Sequence, residues 1–279
     1  MARELTDLER IEQSIHKKYR AELWAPFLTA IRQYDLIREG DAVAVCISGG
    51  KDSMLMAKMF QMLLKVTEIP FTVRYLVMDP GYDEEHRSLI LRNLDRLGIR
   101  ADIRESPIFR VTGGTDKSPC YLCARMRRGY LYRYAGEMGC NKIALGHHMN
   151  DVIETTVMAM FYASQLQGMI PKARSRNFPG MELIRPLYRV RERDIQAFAR
   201  YHGFTFLQCA CPLTKGLAGT DGKRREIKEL IAELKKTNPD IEVSIFNSLH
   251  AVEVDTFPGW KSGGEKHSFT ERYLSQDGQ

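Results

Sequence analysis

The run Ser48-Gly49-Gly50-Lys51-Asp52-Ser53 constrains this chain more than any other segment. It follows the apolar stretch Ala42-Val43-Ala44-Val45-Cys46-Ile47 and precedes Met54-Leu55-Met56-Ala57-Lys58-Met59, whose composition reads as helix. A buried strand, a glycine turn and a helix in immediate succession are how a parallel α/β sheet builds a phosphate site. Two glycines let backbone approach phosphate oxygens closely. The N–H groups of the turn and of the helix N-terminus supply partial positive charge. Lys51 adds a full charge, and the hydroxyls of Ser48 and Ser53 can donate. The spacing is not that of a Walker A loop, which needs G-x-x-x-x-G-K-[ST].

The rest of the chain repeats the strand–helix alternation. Two helices are expected over residues 1–38, the first stopping near Trp24-Ala25 and the second beginning at Pro26. Residues 71–78 read as a strand ending at the turn Asp79-Pro80-Gly81, and residues 84–97 as a helix. Ala101-Asp102-Ile103 is a short strand and residues 107–119 a polar loop. A helix runs from Arg125 to Met138, a strand covers 142–145, and a helix follows from about Asp151 to Tyr162. Residues 171–181 read as a mobile basic loop, 182–185 as a strand and 191–202 as a helix. Residues 214–222 form a Gly-rich loop before a charged helix at 223–236, and the tail after about 255 has too few apolar residues to demand order. This pattern predicts an α/β fold, a doubly wound parallel sheet with helical additions at both ends. The expected division is 1–38, 39–212 and 213–279. Ligands of such sheets sit at the carboxyl ends of the strands, where the loop at 48–53, Asp79 and the segment 146–151 can converge.

With 279 residues, 44% of them hydrophobic, the chain can bury a full core. A formal net charge of +6 is compatible with a polyanionic partner. No apolar run reaches the roughly 18 residues of a membrane span, and the first residues carry no signal-like core, so a cytoplasmic protein without membrane contact is expected. In that compartment its six cysteines are expected to stay reduced, and close pairs read as metal or redox sites.

Three further groups carry chemistry. Gly146-His147-His148-Met149-Asn150-Asp151 follows a strand directly, and Gly146 permits a close backbone approach. Asp151 and Glu154 share a helix face and could hold Mg²⁺, or serve only as an N-cap and a first-turn carboxylate. Cys120-Tyr121-Leu122-Cys123 and Cys209-Ala210-Cys211 offer four thiolates. Four could close a zinc site, and three could hold a [4Fe–4S] cluster with one iron left open. Cys46 and Cys140 lie in or beside apolar runs and read as core. Finally, Arg125, Arg127, Arg128, Arg133, Lys172, Arg174, Arg176, Arg185, Arg189, Arg191, Arg193, Arg200 and Lys223-Arg224-Arg225 are interleaved with Tyr121, Tyr130, Tyr132, Tyr134 and Tyr188. Such a mixture suits RNA, through phosphate contacts and base stacking, or is simply a solvated face.

Together these motifs resemble the tRNA 2-thiocytidine synthetase family of PP-loop ATP pyrophosphatases, over about residues 40–212. Ser48 to Ser53 match the family's pyrophosphate loop. Pro119 to Cys123 with Arg125-Met126-Arg127-Arg128-Gly129 match its cysteine motif and basic helix. Ile143 to His148, Asp151 to Thr155 and Ile184-Arg185-Pro186-Leu187 match its later segments. The chain departs from the family in having Asn150-Asp151 where two aspartates are usual, and C-x-C where the late motif is usually C-x-x-C. It also lacks the N-terminal zinc-finger cysteines of the related 2-thiouridine enzymes.

The resemblance implies that ATP and Mg²⁺ bind through Ser48, Gly49, Gly50, Lys51, Asp52, Ser53, Asp79, Gly146, His147 and Asp151. It implies Lys51, Asp52, Cys120 and Cys123 as catalytic residues, and a [4Fe–4S] cluster on Cys120, Cys123 and either Cys209 or Cys211. The C2 oxygen of a tRNA cytidine would attack the α-phosphorus, and sulfur would then displace AMP. A cysteine desulfurase is the implied sulfur source, and a homodimer is compatible. Three other readings stay open: a lysidine synthetase, which would not need the thiols; a non-catalytic RNA-binding module with structural zinc; and an amidating ATP pyrophosphatase, against which the arginine clusters and the lack of an evident ammonia-producing domain speak.

Overall fold

The computed structural model describes residues 3–113, 119–207 and 221–276. The chain forms two compact units, Met1–Leu230 and Ile231–Gln279. Helix α1 (Asp7–His16) opens on a capping box: the Thr6 hydroxyl accepts from Glu9 N while the Glu9 carboxylate accepts from Thr6 N. It ends a full two turns before Trp24. A π-helical turn, Arg20–Trp24, intervenes before α2 (Ala25–Gln33). Its wide i→i+5 bonds (Tyr19 N to Ser14 O, Trp24 N to Tyr19 O) swing Trp24 onto Phe27, which in turn meets Phe60 edge-on.

The central sheet then alternates with helices: β1 (Ala42–Ile47), α3 (Lys51–Leu63), β2 (Thr72–Asp79), α4 (Glu84–Arg96), β3 (Asp102–Glu105), α5 (Ile108–Thr112), α6 (Pro119–Glu137), β4 (Lys142–Ala144), α7 (Met149–Ala163), β5 (Lys172–Arg174), β6 (Glu182–Ile184), α8 (Glu192–Tyr201) and α9 (Asp221–Thr237). The strand order is β3-β2-β1-β4-β6-β5. All pairings are parallel except that of β5, which lies antiparallel on the edge. The order reverses between β1 and β4, so the glycine loop leaves β1 at the switch point, where a crevice opens beyond the strand ends.

β1 is buried along nearly its whole length, as a strand covered on both faces must be. Ala44 and Cys46, with Leu76 and Met78 of β2, pack under Tyr132, Tyr134 and Ala135 of α6. Two fully or nearly fully buried lysines tie the layers together. Lys58 Nζ reaches Glu12 and the carbonyl of Leu97, and Lys142 Nζ reaches Asp41 and the carbonyl of Leu36. Each buried ammonium meets a carboxylate, as burial demands.

Four local expectations are corrected. Residues 107–113 are not loop: Ile108 is fully buried and starts the short α5. The helix expected from Arg125 begins at Pro119, in the first turn where proline is tolerated, so Cys120 lies in that turn and Cys123 at the start of the next. The basic segment 171–181 contains β5, whose lysine and arginine suit an edge strand that must not recruit further strands. The tail after 255 is ordered in the second unit. There α10 (Ile241–Ser248) precedes a hairpin of β7 (Gly259–Ser262) and β8 (Glu265–Ser268), turned at Gly263–Gly264 and carrying a Trp260–His267 ring stack. Ser268 and Glu271 then form a capping box for α11 (Phe269–Gln276). Among the described residues, no helix is long and apolar enough to cross a membrane.

Candidate active site

The loop after β1 is held open by its own atoms. Gly49 has φ +85°, a conformation that side-chain-bearing residues rarely adopt, and an added Cβ would lie 2.8 Å from Ile90 Cγ1. Gly50 is the N-cap of α3 and has no side chain to cap it, so the first-turn amides stay free to meet an anion. The Ser53 hydroxyl works within the loop, accepting from Ser48 N and donating to Gly50 O. Ser48 is the exposed serine of the two. From the turn after β2, the Tyr82 hydroxyl donates to Ser48 O. After α8, Leu207 N donates to Gly49 O at 3.1 Å.

The second strand-end segment closes directly onto this loop. A Cβ on Gly146 would lie 3.0 Å from Ser53 N and 3.2 Å from the Asp52 carbonyl carbon, so the approach is backbone against backbone. His148, rather than Asp151, is the N-cap of α7; Asp151 is the third helical residue, and the two exchange bonds in a capping box. His148 Nε2 lies 3.7 Å from Asp52 Oδ1. The loop, Tyr82, Arg127 and Leu131 of α6, Gly146, His147 and Asp151 surround a cavity of about 290 Å³.

Charge in the cavity is arranged around Lys51. Its ammonium lies 2.9 Å from Glu192 Oε1 and 3.2 Å from Asp52 Oδ2. Burial disfavours that ammonium, but the two carboxylates outweigh burial and hold its pKa above the ordinary lysine value. Glu192 is buried too, yet hydrogen bonds from Lys51 and Lys228 hold it down to about 2. Asp52 shows the opposite balance: burial raises its pKa despite His148 and Lys51, and its Oδ1 is buried without a hydrogen-bond partner. Burial and the neighbouring Arg185 push His147 down to about 4, leaving a neutral ring whose Nδ1 is also buried and unpartnered. Glu154, on the next turn of α7, is raised to about 7 by burial, opposed by Lys228 and Arg224.

The structure thus brings Ser48, Asp52, Ser53, Gly146, His147 and Asp151 to one cavity, while Gly49, Gly50 and Lys51 belong to the same loop but do not line it. Asp79 sits apart from the lining: its Oδ1 accepts from Gly81 N and Tyr82 N and so shapes its own turn. Cys123 is a half-buried free thiol. The Cys120 side chain and all of Cys209 and Cys211 lie outside the described residues. Tyr132, Tyr134 and Tyr188 are buried, so they cannot stack on bases as their interleaving with arginines suggested; Tyr121, 68% exposed, can. Arg224 is turned inward to Glu154 at 2.9 Å instead of forming part of an open basic face. Glu192 was not legible in the sequence: it lies over 140 residues from Lys51, in a charged run Arg191-Glu192-Arg193-Asp194 that looks like any solvated helix start.

A glycine loop at the switch point of a parallel sheet, feeding an uncapped helix N-terminus with a lysine beside it, defines a PP-loop nucleotide-binding protein. The family model for the PP-loop domain matches residues 21–211. The chain is 36% identical to the tRNA-cytidine(32) 2-sulfurtransferase of Geotalea uraniireducens, over 80% of this chain and 88% of that protein. It is 37% identical to the protein of the same name from Pseudomonas putida, over 80% and 81%. Among solved structures it resembles the U34-tRNA thiolase NcsA from Methanococcus maripaludis with its [4Fe-4S] cluster. That match has a TM-score of 0.65 at 20% identity, covering 85% of this chain and 80% of that one. This chain belongs to the tRNA 2-thiocytidine synthetase family of PP-loop ATP pyrophosphatases.

Proposed function

We propose that the protein thiolates tRNA, replacing the C2 oxygen of cytidine 32 by sulfur at the expense of ATP, as the names of its relatives suggest. One observation carries this reading. Cys123, Arg127 and Leu131 succeed one another at four-residue spacing on α6 and so share a helix face, and Arg127 and Leu131 of that face line the same cavity as the phosphate loop. Activation and sulfur delivery therefore meet at one place.

ATP lays its phosphates on the first-turn amides of α3, and Lys51 turns from Glu192 to the phosphate oxygens. The cytidine C2 oxygen attacks the α-phosphorus and pyrophosphate leaves. The amides and Lys51 stabilise the charge that grows on the bridging and non-bridging oxygens, a contribution that oriented donors make without reorganising. The adenylated C2 oxygen then leaves as AMP when a sulfide adds to C2. Gly146, pressed against Ser53, keeps the strand-end backbone close enough to close off this side of the loop.

Among the described residues, no three of His, Cys, Asp and Glu gather to hold a metal ion. Mg²⁺ would come with the triphosphate, and Asp52, whose Oδ1 is buried without a hydrogen-bond partner, would be free to meet it. Cys120, Cys123 and Cys209 or Cys211 would offer a soft donor set suited to an iron–sulfur cluster, and Cys123 shares the face of α6 that carries Arg127 and Leu131 to the cavity. Such a cluster, when bound, would supply sulfide from an open iron. A cysteine desulfurase is the class of enzyme that supplies the sulfur.

The test is mass spectrometry of tRNA nucleosides after incubation with ATP and a sulfide source. Lys51→Ala should lower 2-thiocytidine formation by about 10²–10³-fold. Persistence of the product in both Lys51→Ala and Cys123→Ser proteins would overturn the reading.

A further inference from the structure

Among the described residues, five buried or half-buried cations fall into two sets. Lys51, Lys58 and Lys142 each lie within 3 Å of a carboxylate oxygen: 2.9 Å to Glu192, 2.7 Å to Glu12 and 2.7 Å to Asp41. Arg127 and Arg185 do not. Among the described residues, neither is paired with a carboxylate, and the Nε of each is buried without a hydrogen-bond partner. Arg127 lines the cavity from α6, one turn beyond Cys123. Arg185 follows the last residue of β6, at the carboxyl end of the sheet, close enough to His147 for its charge to act on that ring. His147 lines the cavity too, and its Nδ1 is likewise unpartnered.

Both guanidinium groups are fixed. Arg185 Nη1 donates to the carbonyl of Ile170, which pins one edge of the fork and leaves the Nε edge unused. The guanidinium of Arg127 lies over the Phe109 ring, 5.6 Å from its centroid. Both guanidinium groups are half-buried, and keeping the Nε of each out of water with no anion beside it costs more than a neutral hydrogen bond returns. A neutral base edge does not offset that cost; a full negative charge does. Nucleotide phosphates already have Lys51 and the first-turn amides of α3.

We propose that Arg127, which lines the cavity with His147, and Arg185, whose charge acts on His147, form a second anion subsite at the α6 and β6 end of the site, which takes a backbone phosphodiester of the RNA beside the target nucleotide. The planar fork matches two phosphate oxygens at once. The subsite rests on the reading that tRNA is the substrate, and it adds a register: the phosphate is held so that the base reaches the loop.

The experiment measures tRNA affinity against salt concentration by fluorescence anisotropy, alongside ATP affinity, for the unsubstituted protein, Arg127→Gln, Arg127→Lys and Arg185→Lys. Losing one phosphate contact should flatten the slope of log K against log[salt] by about 0.7–0.9. For Arg127→Gln, tRNA affinity should fall about tenfold or more, with ATP affinity unchanged. Arg127→Lys should regain the slope but not the full affinity, since a point charge replaces a fork. Arg185→Lys should likewise keep the slope and lose affinity. An unaltered slope and affinity in Arg127→Gln overturns the subsite while leaving thiolation standing. Loss of ATP binding instead assigns the two arginines to nucleotide phosphates and also overturns it. If the unsubstituted protein has no affinity for tRNA, the functional reading falls first.

Discussion

Lys51 Nζ lies 2.9 Å from one oxygen of Glu192, whose other oxygen lies 3.0 Å from Lys228 Nζ. The loop lysine is therefore held by a carboxylate that has a second cation to fall back on. An incoming triphosphate competes with Glu192 for Lys51, and Lys228 keeps Glu192 from following. Glu192→Gln should remove the competitor. With about 1 kcal/mol for a partly buried pair, ATP should bind roughly fivefold more tightly. Turnover should fall, because Lys51 then lacks the contact that aims it. Isothermal titration with ATP and a separate kcat measurement test the two halves; weaker ATP binding would show that Glu192 orients Lys51 without opposing the nucleotide.

Gly146 is the tightest point between the two strand-end segments. A methyl group there meets backbone atoms of Asp52 and Ser53, which cannot rotate away as a side chain can. Gly146→Ala should cost about 1–3 kcal/mol of stability, the usual range for overpacking. It should also displace the first turn of α3 and raise the KM for ATP several-fold. At Gly49 the nearest atoms belong to the flexible Ile90 side chain, so there the penalty is mainly backbone conformation. Thermal melts of Gly146→Ala and of Gly49→Ala paired with Ile90→Val separate these causes: the Ile90 change should relieve contact at Gly49 only in part, and nothing comparable can relieve Gly146.

What the sequence showed clearly was local. The apolar run at 42–47, the glycine loop and the strand-then-glycine signal at 142–146 each lie within a few consecutive residues, and the structure has them where periodicity and turn chemistry put them. What it hid was held by distant partners. Glu192 acquires its role only when α8 packs beside α3. Lys172 and Arg174 looked like loop because an edge strand hides its pairing in a partner, Glu182–Ile184. Tyr132 and Tyr134 read as base-stacking residues among arginines, because nothing in the run Tyr130 to Tyr134 shows which rings face the sheet. Arg127 and Arg185 were visible as arginines, but that neither meets a carboxylate among the described residues is a property of the packed molecule alone.

Two carboxylates near the site should give stability opposite dependences on pH. Glu192 has a folded-state pKa of about 2, below its unfolded value of 4.5, so its contribution is present above pH 4.5 and is lost as pH falls toward 2. Glu154 is raised to about 7, so the folded state holds an extra proton between pH 4.5 and 7, and stability falls as pH rises through that window. Glu154→Gln should flatten the decline between pH 4.5 and 7 and leave the acid limb intact. Glu192→Gln should weaken the acid limb. Denaturant midpoints measured across this range check both; an unchanged profile in Glu154→Gln would mean that Arg224 and Lys228 keep Glu154 ionised throughout.

The last prediction concerns the thiols. Cys123 sits early in the second turn of α6, and its helix carries Arg127 and Leu131 to the cavity, whereas Cys46 and Cys140 are buried in the core under the same helix. Burial raises the pKa of both core thiols, so they are poor metal ligands. Protein purified without oxygen should therefore contain iron and labile sulfide that Cys123→Ser loses and Cys140→Ser keeps. A chelator should remove the same iron. ATP binding should survive in each case, since no atom of α3 or its loop depends on the thiol. Iron and sulfide analysis with an optical spectrum decides the matter: a colourless protein carrying one zinc per chain would sink the cluster and leave the phosphate loop untouched, while iron retained in Cys123→Ser would move the ligand set elsewhere.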